Sequence, residues 1–305
     1  MRSLLLWCAQ NRWLATHVPR WGFARRAVRR FLPGESFDGA LNAAVTFKEL
    51  RVGALFTRLG ENVTDLAEAA AVVEHYESVL TESAAAGIDF EISVKPTQLG
   101  LDIDPAAALA NLERLAIAAA KVDSFLWIDM EGSSYTDPTL DLYIKLRKDH
   151  PRTGICLQAY LHRTAADIVK LLPLEPAIRL VKGAYAEPSD RAFQQKKDVD
   201  ANYLALSALV LADVKSGKLR LVLGTHDVEL VRRDVRFAAA LGLERAKLEV
   251  NMLYGIRTDQ LITLAGEGHV VKDLIAYGDA WYAWYLRRLA ERPANVLFVA
   301  RQLLP

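Results

Sequence analysis

The 305-residue chain has only two cysteines, Cys8 and Cys156, far apart and in no metal-ligating spacing. That excludes a disulfide framework and a zinc site, and both residues read as buried free thiols of a reducing compartment. The six histidines (His17, His75, His150, His162, His226 and His269) form neither an HxH pair nor an HExxH motif, so no metal is expected. No Gly-x-Ser-x-Gly segment is present to carry a nucleophilic serine. Gly266-Glu267-Gly268 lacks the third glycine and the strand context of a dinucleotide fingerprint. An excess of one charge sign is missing too: 38 basic and 37 acidic residues leave a net +1, which gives nucleic acid no compositional support. No apolar run reaches the roughly 20 residues of a membrane span.

What is there is a rhythm of short β-rich apolar runs, polar or glycine turns and longer helical patterns, eight times over. The strand candidates are Val52–Thr57, Phe90–Val94, Ser124–Asp129, Gly154–Gln158, Ile178–Lys182, Leu219–Gly224, Lys247–Asn251 and Val270–Ile275. Helix candidates include Thr64–Ala86, Pro105–Ala120, Pro138–Lys148, Thr164–Leu171, Asn202–Lys215, Val228–Leu241, Thr258–Ala265 and Ala280–Glu291, with Thr64 and Asp227 as candidate N-caps and Pro105 and Pro138 in first turns. Strands alternating with helices imply a parallel sheet, and runs such as Phe125-Leu126-Trp127-Ile128 suit strands buried on both faces. Eight units favour a closed (β/α)8 barrel of the TIM type over residues 49–305, preceded by a helical extension over residues 1–48.

Polar residues gather where strands end: Arg58 and Glu61, Lys95, Asp129 and Glu131, Gln158 and Tyr160, Arg179 with Lys182 and Tyr185, Thr225 and His226, and Glu249 with Asn251 and Tyr254. In a barrel those ends converge on one face, where active sites lie, so the pattern argues for an enzyme. Any one of these residues alone reads as a cap or an ion-pair partner. The candidates are rich in cations, with Arg287 and Arg288 adjacent in the last helical pattern, and an arginine fork suits a carboxylate. Lys95 and Lys182 also leave a Schiff-base aldolase open.

The motifs Thr57-Arg58-Leu59-Gly60-Glu61, Ile92 to Leu101, Ile128-Asp129-Met130-Glu131, Leu157 to Leu161, Arg179 to Tyr185, Thr225-His226-Asp227, Met252 to Gly255 and Trp284 to Glu291 resemble, in order and spacing, the small bacterial proline dehydrogenases from about residue 47 to 304. The resemblance implies a distorted barrel with its last helix over the mouth and FAD bound without a covalent link. It implies that Lys95, Arg287 and Arg288 hold the carboxylate of L-proline, that Asp129 supports that cluster, and that Glu61 pairs with Arg287 to close a loop. By the same resemblance Gln158 and Arg179 meet the isoalloxazine. Lys182, Thr225, His226, the backbone of Val181 and Gly183, and Glu291 serve the cofactor elsewhere, while Tyr185 and Tyr254 line the pocket. The implied reaction is hydride transfer from proline to FAD, giving Δ1-pyrroline-5-carboxylate, with a quinone as final acceptor and a separate pyrroline-5-carboxylate dehydrogenase for the next step. The chain departs from the family at Leu274, where many relatives carry a tyrosine against the substrate ring, at Ala276 in place of proline, and at Asn251 in place of a frequent glutamine. Leu274 leaves hydroxyproline or another cyclic amino acid open as substrate.

Through Arg30 the chain has seven arginines (Arg2, Arg12, Arg20, Arg25, Arg26, Arg29 and Arg30), no acid, and interleaved Leu and Trp. The apolar stretch from Leu4 to Ala9 is short for a signal peptide. The segment reads either as solvated helices packed on the barrel or as a contact with an anionic membrane surface, which puts the protein in the cytoplasm or at the inner face of the membrane. The second reading predicts that deleting residues 1–30 weakens cosedimentation with anionic vesicles; unchanged binding rules it out.

Overall fold

In a computed structural model, eight parallel strands close into one barrel in sequence order. The structure describes residues 5, 7–9 and 11–291. The strands are β1 (Val52–Arg58), β2 (Phe90–Val94), β3 (Leu126–Ile128), β4 (Thr153–Gln158), β5 (Ala177–Val181), β6 (Arg220–Gly224), β7 (Leu248–Leu253) and β8 (Val271–Tyr277). The seam is β1 against β8, in register from Val52↔Val271 to Arg58↔Tyr277. The described helices are α1 (Arg12–His17), α2 (Gly22–Val28), α3 (Phe37–Phe47), α4 (Leu66–Ala85), α5 (Pro105–Lys121), α6 (Thr136–Asp149), α7 (Thr164–Leu171), α8 (Lys196–Ser216), α9 (Val228–Ala240), α10 (Thr258–Gly266) and α11 (Trp281–Glu291).

All eight expected strands and the helices between them form, with shifted ends. The N-cap of α4 is Asp65, not Thr64: its carboxylate accepts from Glu68 N at 2.7 Å, and Glu68 accepts in turn from Thr64 N at 3.2 Å. That reciprocal pair is a capping box displaced by one residue. Helix α8 starts six residues before Asn202, because Lys196 and Asp200, one turn apart, pair along its first turn. Asp227 precedes α9 without capping it, since its carboxylate is bound to Lys182 and Lys196.

Period two along a strand sends alternate side chains into the lumen, and these stack in layers. At the N-terminal end Arg220 binds Glu91 and Glu249 at 2.6 Å, and Lys272 binds Asp89 at 2.6 Å. Above them Leu55, Trp127, Ala177 and Val222 form an apolar layer, with Leu274 packed on it. Trp127 joins the two, donating to Glu91 at 2.6 Å with the Arg220 guanidinium 5.3 Å from its ring. The lumen is thus plugged below and open at the C-terminal end. Glu249, expected with the strand-end groups, belongs to the plug: β7 begins at Leu248, which puts Glu249 at the wrong end of the strand.

The N-terminal segment folds over the last helix. Ala24, Val28, Phe31 and Leu32 pack with Leu59, Trp281, Trp284, Tyr285 and Leu289, while Phe37, Ala40 and Ala44 of α3 join the main core around the barrel. Trp7, Trp13 and Trp21 stay exposed. Among the described residues no helix is long and apolar enough to cross a membrane. Gly255, at φ +72°, passes so close to the Arg30 carbonyl that a Cβ would stand 1.8 Å from that oxygen. Gly255→Ala is expected to cost about 2 kcal/mol or more, from the left-handed backbone and the clash together. Urea unfolding, with protease cutting between residues 20 and 35 as local readout, checks it; an unchanged midpoint contradicts the docking described.

Candidate active site

The first turn after β1 and the last helix meet over the open end of the lumen. Glu61, in the loop after β1, binds Arg287 of α11 at 2.5 Å, and Tyr185, in the loop after β5, approaches Glu61 at 3.5 Å with the Arg287 guanidinium 5.2 Å from its ring. Beneath them lies a cavity of about 200 Å³ lined by Leu59, Gly60, Glu61, Lys95, Ala280, Ala283, Trp284 and Arg287. That is below the roughly 300–1,000 Å³ of drug-sized ligand sites, so it suits a small metabolite. Two cations and an aromatic wall fit an anion with an apolar body. The Tyr185 loop is fastened across the mouth, where Glu187 accepts from Ser133 N at 2.7 Å.

The floor is a second cluster. Arg179, 2% exposed, is bound to Asp129, donates to Ser93 Oγ at 2.9 Å and lies 5.4 Å from the Trp127 ring. Its Nε and Nη1 are buried without a hydrogen-bond partner among the described residues, although the Cys156 thiol stands alongside. Burial opposes its charge, but Asp129 holds the guanidinium's pKa above the ordinary arginine value. Gln158 donates to the carbonyls of Met130 and Glu131 at 3.2 Å, and its own Oε1 is buried with no partner among the described residues. Buried polar atoms without partners are costly, and several in one lumen mark a place for a ligand.

At the rim of β5 and β6, Lys182 binds Asp200 at 2.5 Å and Asp227 at 2.9 Å. Burial works against the charged Asp227, yet Lys182 and Lys196 hold its pKa down at about 2. Asp227 N donates to Thr225 Oγ1 at 3.1 Å, and His226 is half-buried beside it. Gly183 has φ +107°, and a Cβ there would meet the Tyr160 ring at 2.2 Å, so only glycine lets the chain turn here. The Val181 carbonyl accepts from Ala159 N and its side chain fills the space over Gly224.

Several expected residues lie elsewhere. Asp129, expected beside Lys95, Arg287 and Arg288, is bound to Arg179, because period two on β3 and β5 points both into the same layer. Tyr254 does not line the cavity: its ring packs 6.4 Å from that of Phe47. Arg288 is half-buried one residue, about 100° of helix turn, away from Arg287 and outside the cavity wall. Glu291 closes α11, its side chain outside the described ones, as are residues 292–305. Leu274 is half-buried on the apolar layer. Asn251 Nδ2 is buried with no hydrogen-bond partner among the described residues. Sequence reasoning missed Ser93 and Trp127; each sits two residues before a strand-end residue it had named, Lys95 and Asp129, so alternation was the available signal.

The assembly is a (β/α)8 barrel with a small pocket lined by Lys95, Arg287 and Glu61 over a buried guanidinium. A sequence profile of the family described as proline dehydrogenase matches residues 40–301. Proline dehydrogenase 1 of Bacillus subtilis (strain 168) is 33% identical over 304 residues, covering 100% of this chain and 99% of that protein. Proline dehydrogenase of Deinococcus radiodurans is 34% identical over 282 residues, 91% of this chain and 90% of that one. The fold matches proline utilization A of Bdellovibrio bacteriovorus, inactivated by N-propargylglycine, with TM-score 0.81 and 21% identity over 95% of this chain, which spans 38% of that longer one. The chain belongs to the proline dehydrogenase family.

Glu131 is 2% exposed, and burial raises its pKa to about 7 despite the Thr97 hydrogen bonds and nearby Lys95 that favour its charge. A carboxyl with its folded pKa raised contributes stability present below about pH 4.5 and lost as pH rises through about 7. Relative to wild type, Glu131→Gln is expected to gain up to about 3 kcal/mol on going from pH 4.5 to 8. Urea unfolding at the two pH values checks this; parallel curves for the two proteins contradict it.

Proposed function

We propose that this protein oxidises L-proline to Δ1-pyrroline-5-carboxylate with non-covalently bound FAD and a quinone as final acceptor. The observation that carries the reading is the small pocket in which Lys95 and Arg287 face one space beside Glu61. Two cations fix one carboxylate, and the Glu61–Arg287 pair shuts the loop and excludes water. Tyr185 stands against the Glu61–Arg287 pair, and Arg288, next to Arg287 on the same helix, adds positive charge nearby.

The family implies a flavin, and the residues fit one. The unpartnered atoms of Arg179 and Gln158 suit the polar edge of an isoalloxazine. Lys182, Thr225, His226 and the backbone of Val181 and Gly183 form a polar rim for the rest of FAD, and Glu291 is assigned there by resemblance. FAD supplies the hydride acceptor when bound. Asp129 and Ser93 orient Arg179, keeping a full positive charge in a buried place where it stabilises negative charge most. The exposed Trp7, Trp13 and Trp21 beside the arginine-rich segment support a peripheral contact with an anionic membrane, where a quinone resides. Hydrolysis of the product and its oxidation by a separate pyrroline-5-carboxylate dehydrogenase would follow. The division into a 1–48 extension and a 49–305 catalytic barrel belongs to the same reading.

Leu274 favours one alternative, a dehydrogenase of another cyclic amino acid such as hydroxyproline, because it puts an apolar side chain in the lumen. The visible spectrum decides. Flavin bands that bleach on anaerobic addition of L-proline are expected. Bands that persist with proline but bleach with hydroxyproline move the substrate to the alternative, and no flavin after reconstitution with FAD overturns the reading.

A further inference from the structure

The loop that carries Glu61 makes an abrupt excursion, with Gly60 at φ +150° and Asn62 in the left-handed region at φ +57°. A partly exposed ion pair alone is too weak to hold such a loop, so its backbone must be anchored. Leu59 N is bound to the Tyr277 carbonyl. The next two anchors are both on Thr97: Asn62 N donates to its Oγ1 at 3.1 Å and Val63 N to its carbonyl at 3.2 Å. Thr97 is itself fully buried and clamped by one carboxylate, donating from N to Glu131 Oε1 at 3.1 Å and from Oγ1 to Glu131 Oε2 at 2.7 Å. With Glu131 ionised, its hydroxyl gives its one proton to the carboxylate and accepts from Asn62 N. Gln98, next in the turn, donates to the Arg58 carbonyl at 3.0 Å, on the other side of the loop. On the far side of Glu131, Gln158 donates to its carbonyl.

We infer that Thr97, seated on the Glu131 carboxylate, is the positioning residue that holds the Glu61 loop against Arg287. It touches neither the pocket nor the floor. It sets where Glu61 stands, and through Glu61 where the Arg287 guanidinium stands. Its influence on turnover rests on the proline dehydrogenase reading above; its influence on the loop does not.

The test pairs Thr97→Val, which keeps the volume and removes the hydroxyl, with Thr97→Ser, which keeps the hydroxyl, both in the FAD-loaded full chain. Hydrogen exchange of the amides of residues 60–63 is read alongside KM and kcat for L-proline, FAD content and absorption. Val63 decides most, because the substitution leaves its acceptor, the Thr97 carbonyl, in place. For Thr97→Val, exchange across 60–63 should rise about tenfold or more and KM about tenfold, with kcat within about twofold and FAD content unchanged, as expected when a buried donor and acceptor lose their partner and uniform binding weakens. Thr97→Ser should match wild type. Faster exchange at Asn62 alone with unchanged KM overturns the inference, and so does a Thr97→Ser variant as impaired as Thr97→Val. Should Thr97→Val fail to fold, Glu131→Met replaces it: it removes both acceptors of Thr97, and unchanged exchange and KM there overturn the inference equally. A wild-type protein that ignores proline refutes the substrate reading alone, since loop exchange still decides the role of Thr97.

Discussion

Closure of the barrel at the β1–β8 seam is the constraint on which the rest depends. The seven paired positions from Val52↔Val271 to Arg58↔Tyr277 bring the two ends of the catalytic chain side by side. The loop after β1, with Glu61, and the helix after β8, with Arg287, are far apart in sequence and adjacent in space for that reason alone. Without the seam, neither the ion pair nor the pocket beneath it exists. The N-terminal segment then packs over α11 and holds it down.

Within the lumen the two ends treat charge in opposite ways. At the bottom, Glu91, Glu249, Arg220 and Lys272 are mutually paired, and the aromatic faces of Phe125 and Trp127 cover the Arg220 guanidinium. At the top, Arg179 has one carboxylate, one hydroxyl and the neighbouring Cys156 thiol, and its Nε and Nη1 have no hydrogen-bond partner among the described residues that meets full geometry. A protein that buries a charge pairs it or leaves it for a ligand, because an unsatisfied buried charge is expensive. The contrast says which end is scaffold and which is site. Trp127 spans the two layers, touching Glu91 below and Arg179 above.

The eight strands were legible in the chain because burial on both faces leaves runs such as Leu221-Val222-Leu223 with little polar interruption. Lys95, Glu61, Tyr185 and Arg287 were legible as candidates because the strand ends and the last helix carry groups that a mere scaffold has no need of. Glu249 was grouped with the wrong end of the barrel: β7 runs from Leu248 to Leu253, so Glu249 is its second residue and enters the plug, and where a strand starts leaves no mark in composition. Asp129 was placed at the right strand end, but nothing in its local sequence names Arg179 as its partner. Tyr254 shows the same limit, since the space behind it is occupied by Phe47 of a helix more than 200 residues earlier in sequence.

The sequence by itself determined the alternation of strand and helix, the chemical types gathered at the strand ends, and the family to which the chain belongs, because each of these is written in local order and spacing. Only the tertiary structure decided which of those residues meet: that Asp129 serves Arg179, that Arg287 rather than Arg288 reaches the pocket, and that Thr97 and Glu131 stand beneath the Glu61 loop. Hydrogen bonds and ion pairs act over about 3 Å, and distances of that size between residues 34 to 226 positions apart are set by how the barrel closes, not by any segment of the chain alone.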